Sequence, residues 1–209
     1  MQGKRIFVLK ANKARTDHKF HLKGLPSTAG RMDIVCRCIS RALLYYGNKP
    51  RRDTVFYAVL LGPPYPPKTI TIDGAEIEGL RSSEIAIAGL IRESLKCFKK
   101  GEEKVMKGIY VNQVGFEDLV SNFAERGYNL IYLHERGKDV REVFFSLNEV
   151  YVFILGDHIG LNKEDELLLE KLGVSMVSVG PKSLLGSHCI AIVHNELDRR
   201  FSSSRSSSL

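Results

Sequence analysis

Acidic residues are almost missing from the first quarter of this chain. Residues 1–52 carry 13 Lys and Arg but only Asp17 and Asp33, a net +11, while the remainder of the 209 residues sums to −4. Cysteine is scarce as well. The four thiols, Cys36, Cys38, Cys97 and Cys189, form neither a C-x-x-C pair nor a disulfide-framework spacing, which excludes a zinc ribbon and leaves reduced thiols as the expectation. Cys36 and Cys38 lie about 200° apart on a helix, so they cannot share a metal. No apolar run approaches the ~20 residues of a membrane-spanning helix, and "MQGKRIFVLKANK" lacks the apolar core of a signal peptide. These absences lead us to expect a soluble, cytoplasmic protein without a resident metal. Two nucleotide signatures are also missing. No G-x-G-x-x-G follows a strand, and "GPKS" lacks the spacing of a P-loop, so a Rossmann dinucleotide site and a P-loop nucleotidase are both excluded.

What is present is ordinary globular composition, 44% hydrophobic and 26% charged, suited to a single domain over residues 1–201. "RIFVLK" (5–10) and "TVFYAVLL" (54–61) read as strands, and "KTITID" as a hairpin arm after "GPPYPP". Between the first two strands a helix begins near Gly30. Its apolar positions from Ile34 to Tyr46 share one half of the circumference, which predicts a watered face of Asp33, Arg37, Ser40 and Arg41. A second helix is expected from about Ser83 to Lys99, followed by a polar linker, "KKGEEKVMKG". Three apolar runs then recur, at 129–135, 150–157 and 174–180, with "NKEDELLLEKLG" between the last two as a helix carrying an Asn cap and acids in its first turn. Strands alternating with helices imply an α/β fold with a mostly parallel sheet. Ligands of such sheets bind beyond the carboxyl ends of the strands, so "LHERG", "LGDHIG" and "VGPKS" are candidate lips of one pocket. The tail "SSSRSSSL" (202–209) reads as disordered.

The basic quarter has two readings, nucleic-acid binding and a solvated surface. His18 and His21 in its loop suit RNA contact or plain surface better than a metal. Asp33 is either a general base or, four residues before Arg37, a helix-supporting partner. Asp157 and His158 between Gly156 and Gly160 suit a pocket or simply a turn.

The runs "LPSTAGRMDIVCRCISRAL", "RRDTVFYAVLLGPPYPP", "IYLHERG", "ILGDHIG" and "SHCIAIVHNELD" together resemble the archaeal tRNA pseudouridine-54 N1-methyltransferases, the TrmY family of the SPOUT superfamily, in order from residue 5 to about 200. The resemblance implies a SPOUT-type sheet whose C-terminal part, about 128–201, threads a deep trefoil knot. It implies S-adenosylmethionine as cofactor, tRNA as partner and a homodimer, with no membrane. The cofactor would be held by Leu133, Gly156, the loop Val179, Gly180, Pro181, Lys182, Ser183 and Leu184, and by Cys189. Pseudouridine offers an N1–H that must be lost on methylation. Asp33, Asp53 and Asp157 are the candidate acceptors, and Arg31, Arg37, Arg51 and Arg52 the candidate phosphate contacts. A pseudouridine methyltransferase of ribosomal RNA and a non-catalytic RNA-binding relative of the same fold remain alternatives.

Overall fold

A computed structural model describes residues 4–98 and 103–206. Its centre is strand β1 (Arg5–Ala11), buried along its whole length and paired in parallel with β2 (Thr54–Leu60) on one side and β7 (Tyr151–Gly156) on the other. β6 (Asn129–Asp139) continues the parallel set beside β7, and β8 (Ser175–Ser178) closes it as an edge. Beyond β2 the direction reverses. β3 (Lys68–Asp73) pairs antiparallel with β2, β5 (Ile109–Asn112) with β3, and β4 (Lys104–Met106) with β5. The eight strands therefore run β4-β5-β3-β2-β1-β7-β6-β8, a mixed α/β sheet that is mostly parallel at its functional half. The polar linker expected after residue 98 holds β4; its residues 99–102 lie outside the described ones.

Alternation along β1 sorts the layers. Phe7 and Leu9 join the core under α2 (Met32–Leu43), α3 (Glu84–Cys97) and α6 (Gly186–Ser206), whereas Ile6 and Val8 join the core under α4 (Phe116–Glu125) and α5 (Lys163–Lys171). A short α1 (Leu25–Thr28) precedes α2. The charged ends of β1 obey the same alternation. Arg5 meets Asp198 of α6 at 2.6 Å, and Lys10 on the opposite face pairs with Asp165 of α5. Each buried cation is thus neutralised on the face its register dictates, the condition under which burying it is tolerable.

The helix over 162–173 forms as its caps predict: Asn162 accepts from the Asp165 amide at 2.8 Å while Asp165 accepts from the Asn162 amide at 2.9 Å, a reciprocal capping box. Helix α2 departs from expectation. It packs against α3 and α6 as well as the sheet, and of its predicted watered face Asp33 is buried, 2% exposed, whereas Arg37 and Ser40 are half-buried and Arg41 is exposed. α6 runs to Ser206 and takes in the first residues of the serine-rich tail; 207–209 lie outside the described residues.

Strand β6 is irregular in its pairing with β8. Val177 of β8 is paired with Leu133 and again with Lys138, so residues 134–137 leave the ladder and rejoin it around one β8 residue. Gly137 makes this possible, because a Cβ there would stand 2.4 Å from the Val177 nitrogen.

Candidate active site

The carboxyl ends of β6 and β7 and the loop after β8 converge, as the sequence predicts, on a cleft of about 580 Å³. Leu133, Gly156, Ser183, Leu184 and Cys189 all line it. A smaller cavity of about 60 Å³ continues from it and is lined by Val179, Gly180 and Lys182 together with Leu133, Ser183, Leu184 and Cys189. Of the residues expected around the cofactor only Pro181, which is exposed, lines neither.

The loop is held by its own backbone. Ser178 Oγ donates to the Gly180 carbonyl at 2.6 Å and accepts from the Gly180 amide at 3.2 Å, which turns the chain immediately after β8. A Cβ on Gly180 would meet nothing within 4 Å, so the glycine leaves open space. Gly156 is different: a Cβ there would stand 2.5 Å from the Gly160 carbonyl carbon, so the 156–160 turn closes only over glycine. Burial pushes the Cys189 thiol upward, and its sulfur, 3.9 Å from the Leu184 carbonyl, stays a neutral wall atom.

The three candidate carboxylates have distinct fates. Asp157 is tied to the exit of β1: its oxygens accept from the Asn12 amide at 2.8 Å, the Asn12 side-chain amide at 2.9 Å and the Ile159 amide at 2.9 Å. It shapes the cleft floor and has little free acceptor capacity. Asp33 sits against the opposite wall, where Arg31 grips it with two hydrogen bonds of 3.1 Å and Arg37 with one of 2.7 Å. Burial pushes the Asp33 carboxyl up, but the two guanidinium groups outweigh it and hold the pKa below the usual carboxylate range. Such a group is a poor proton acceptor and a good anchor. Asp53 is at the other end of the sheet, just before β2 and 3.5 Å from Arg5, and is not part of this cleft.

The four candidate arginines divide in the same way. Arg31 and Arg37 line the cleft. Arg31 adopts the left-handed conformation, φ 66°, ψ 33°, an uncommon state for a side chain of its size that its grip on Asp33 helps to hold. Arg51 is buried instead, bonded to Asp198 at 2.9 Å and stacked on the Tyr45 ring at 3.9 Å, and Arg52 donates to the carbonyls of Gly74, Ala75 and Ile77. Both lie at the amino end of β2, away from the cleft; Arg51 is neutralised by Asp198, whereas Arg52 is exposed and keeps its charge. His18 and His21 are exposed in the loop after β1, and no metal-ligating group of three residues exists among the described residues. No helix of the described residues is long and apolar enough to cross a membrane.

Two features of the cleft were not legible as site residues in the sequence. Glu135 and Glu166 line it, and Glu166 accepts from the Tyr132 hydroxyl at 3.2 Å. The only signal available was the position of Glu135 just past a strand end; Glu166 comes from α5, where it reads as a solvated helix acid.

The fold is similar to that of Nep1 from Archaeoglobus fulgidus, solved bound to S-adenosylhomocysteine, with a TM-score of 0.60 over 95% of this chain and 98% of that one at 20% identity. A family model described as "Putative SAM-dependent RNA methyltransferase" matches residues 4–201, which defines the class as an S-adenosylmethionine-dependent RNA methyltransferase. Two relatives named tRNA (pseudouridine(54)-N(1))-methyltransferase are each 42% identical over 203 residues: that of Methanocaldococcus jannaschii, covering 94% of this chain and 97% of its own, and that of Pyrococcus abyssi, covering 93% and 98%. The chain belongs to the tRNA (pseudouridine(54)-N(1))-methyltransferase family.

The cleft suits the cofactor of that class. Its volume is in the range that encloses a ligand of that size. Leu133, Leu155 and Leu184 form apolar walls of the kind an adenine ring fits, and Glu135, Asp157 and Glu166 put carboxylates around the space, as a cationic sulfur would favour.

Proposed function

We propose that this protein methylates N1 of pseudouridine at position 54 of tRNA, with Leu133, Gly156, Val179, Gly180, Lys182, Ser183, Leu184 and Cys189 holding S-adenosylmethionine. The observation that carries this reading is the match to the tRNA methyltransferases of that name over almost the whole chain, cleft residues included. When bound, the cofactor supplies a methyl group on a positively charged sulfur, already an electrophile. The protein's share is to orient the acceptor, exclude water and manage one proton. Loss of the N1 proton to water leaves negative charge that the uracil ring shares with its carbonyl oxygens; N1 would then bond to the methyl carbon as the carbon–sulfur bond breaks and its electron pair returns to sulfur. Arg31 and Arg37 supply fixed donors to that charge, and Asp33 keeps both guanidinium groups in place. Asp157, with its oxygens occupied, and Asp33, with its pKa held low, are poorly suited to take that proton.

We infer from the family resemblance a trefoil knot in the C-terminal part, about 128–201, the part that also holds the irregular pairing of β6 with β8. Such threading is rare enough that local sequence rules argue against it. Exposed Ile159, Leu184 and Leu185 at the mouth of the cleft supply apolar surface for a second copy of the chain, in support of a homodimer. We infer a cytoplasmic enzyme, since its tRNA substrate is processed there.

Two transcripts test the reaction. A tRNA carrying pseudouridine at position 54 is expected to accept one methyl group. The same tRNA with uridine there has N1 bonded to the sugar and is expected to accept none while binding equally well. Equal methylation of both would move the acceptor to the ribose or a ring carbon.

A further inference from the structure

Arg51 is buried against Asp198 and Arg52 lies at the amino end of β2, so the basic residues nearer the carboxyl ends of the strands are others. Lys13, Arg15, Lys19 and Lys23 belong to the loop from residue 12 to 24, which leaves the carboxyl end of β1 and in which Arg15 is paired with Asp17. That loop is built rather than slack. Thr16 donates from its hydroxyl to the Gly62 carbonyl at 3.0 Å and accepts from the Tyr65 amide at 2.8 Å, and the Arg15 amide donates to the Ala29 carbonyl at 3.2 Å. Phe20 is 5% exposed and plugs into the core, so its neighbours His18, Lys19 and His21 are forced outward.

They face α3 across an open groove of about 490 Å³, whose other wall is Arg92, Glu93 and Lys96. Arg92 and Lys96 are one helical turn apart, a like-charge spacing that costs a helix a few tenths of a kcal/mol when nothing lies between. The acid available to them is Glu93, at 3.9 Å from Arg92 and 3.7 Å from Lys96. Those are loose contacts beside the 2.6–2.9 Å pairs that hold Arg5 and Arg51. Lys19 enters no ion pair among the described residues. The groove therefore sets three cations, two of them sharing Glu93 at long range, against one acid, a local excess of positive charge.

Its position gives the charge a purpose. α3 begins at Glu84, 3.5 Å from Arg37 of the cleft, and Arg92 and Lys96 follow 8 and 12 residues later. At about 1.5 Å per helical residue, the groove lies roughly 12–18 Å along the helix from the cleft wall. That exceeds the size of one nucleotide, so the groove would meet RNA backbone away from the base being methylated.

We propose that the groove between residues 18–21 and Arg92–Lys96 is a second phosphate-binding site, which holds the RNA backbone at a distance from the target base and so selects folded tRNA over an isolated loop. This rests on the RNA substrate assigned above, and it adds a subsite to the cleft. The cations of both walls suit phosphate oxygens, so the site contributes position and affinity.

The test is a triple substitution, Lys19→Gln with Arg92→Gln and Lys96→Gln, all at surface positions. Binding of full tRNA and of a short hairpin containing only the target loop is measured against salt by filter retention, in parallel with cofactor binding by calorimetry. Each phosphate contact contributes roughly 0.7–0.9 to the logarithmic salt slope. The variant is expected to lose two to three contacts' worth of slope on full tRNA and to bind it about 10- to 100-fold more weakly near physiological salt. Hairpin binding and cofactor affinity should be unchanged. An unaltered slope on full tRNA would overturn the groove, and so would an equal loss on hairpin and tRNA, since the contact would then lie at the cleft. Because binding is read directly, a wild-type protein that binds tRNA without methylating it would refute the reaction and still decide the groove.

Discussion

Asp33 and Arg37 are one helical turn apart on α2 and meet at 2.7 Å, but the pair is no surface ornament: the carboxylate is buried and also carries the guanidinium of Arg31. Both arginines reach the cleft from this one anchor.

Asp33→Asn is therefore expected to reduce kcat by one to two orders of magnitude while leaving cofactor affinity nearly intact, with Asp33→Glu recovering part of the loss. It should also cost about 2 kcal/mol of stability at pH 7, the scale of hydrogen bonds to a charged group. The Asp33 pKa is depressed in the fold, so its contribution is complete above the unfolded value near 4 and is lost as pH falls through the lower folded value. Urea unfolding should show a constant gap between the two proteins from pH 5 to 8 that narrows near pH 3.

Glycines of the cofactor region should separate folding from binding. Gly137→Ala places a Cβ 2.4 Å from backbone nitrogen, and its thermal midpoint is expected to fall by many degrees or the protein to be recovered unfolded. Gly180→Val fills space that is open in the structure, so the midpoint should stay close to wild type while calorimetry shows loss of S-adenosylmethionine binding. Ser183→Ala should weaken cofactor binding less than threefold. Normal cofactor affinity in a folded Gly180→Val protein would place the pocket elsewhere.

Asp157 offers a choice between a base and a brace. As a brace for Asn12 and the Ile159 amide, its replacement by Asn should lower cofactor affinity and cost about 1–3 kcal/mol, the penalty of leaving such groups unpaired. The pH dependence of kcat should keep its shape. Asn12→Ala should reproduce the defect, whereas loss of one limb of the pH–rate profile in Asp157→Asn alone would make it the base.

His194 makes a prediction far from the cleft. Its Nδ1 lies 3.0 Å from Arg5 Nη1 and its Nε2 3.0 Å from the Ala42 carbonyl, which fixes a neutral ring with the proton on Nε2. Burial first, and then the charges of Arg51 and Arg5, hold its pKa well below 6.5. The unfolded chain gains a proton there that the folded one does not, so stability should decline by about 1.4 kcal/mol per pH unit below pH 6.5 and level off above it. His194→Asn should be less stable at pH 7 and lack that decline between pH 6 and 5, as read by urea unfolding.

The sequence by itself determined whatever depends on neighbours in the chain. The apolar runs at 129–135, 150–157 and 174–180 place the strands, Asn162 and Asp165 cap the helix between the last two, and the residues that follow each strand mark the lips of the cleft; the cofactor roles of Leu133, Gly156, Gly180 and Cys189 came from the family resemblance. Only the tertiary structure decided which charges are free. Helical periodicity put Asp33 in water because it cannot see α3 and α6 closing over α2. Arg5 finds Asp198 193 positions away and Lys10 finds Asp165 155 positions away, so local pattern could not tell that these cations are neutralised. The same holds for Arg51, bound to Asp198, and for the double pairing of Val177 with Leu133 and Lys138. Burial and ion pairing are set by which elements pack together, and at separations of this size the partner is chosen by the topology of the sheet, not by the spacing of residues along the chain.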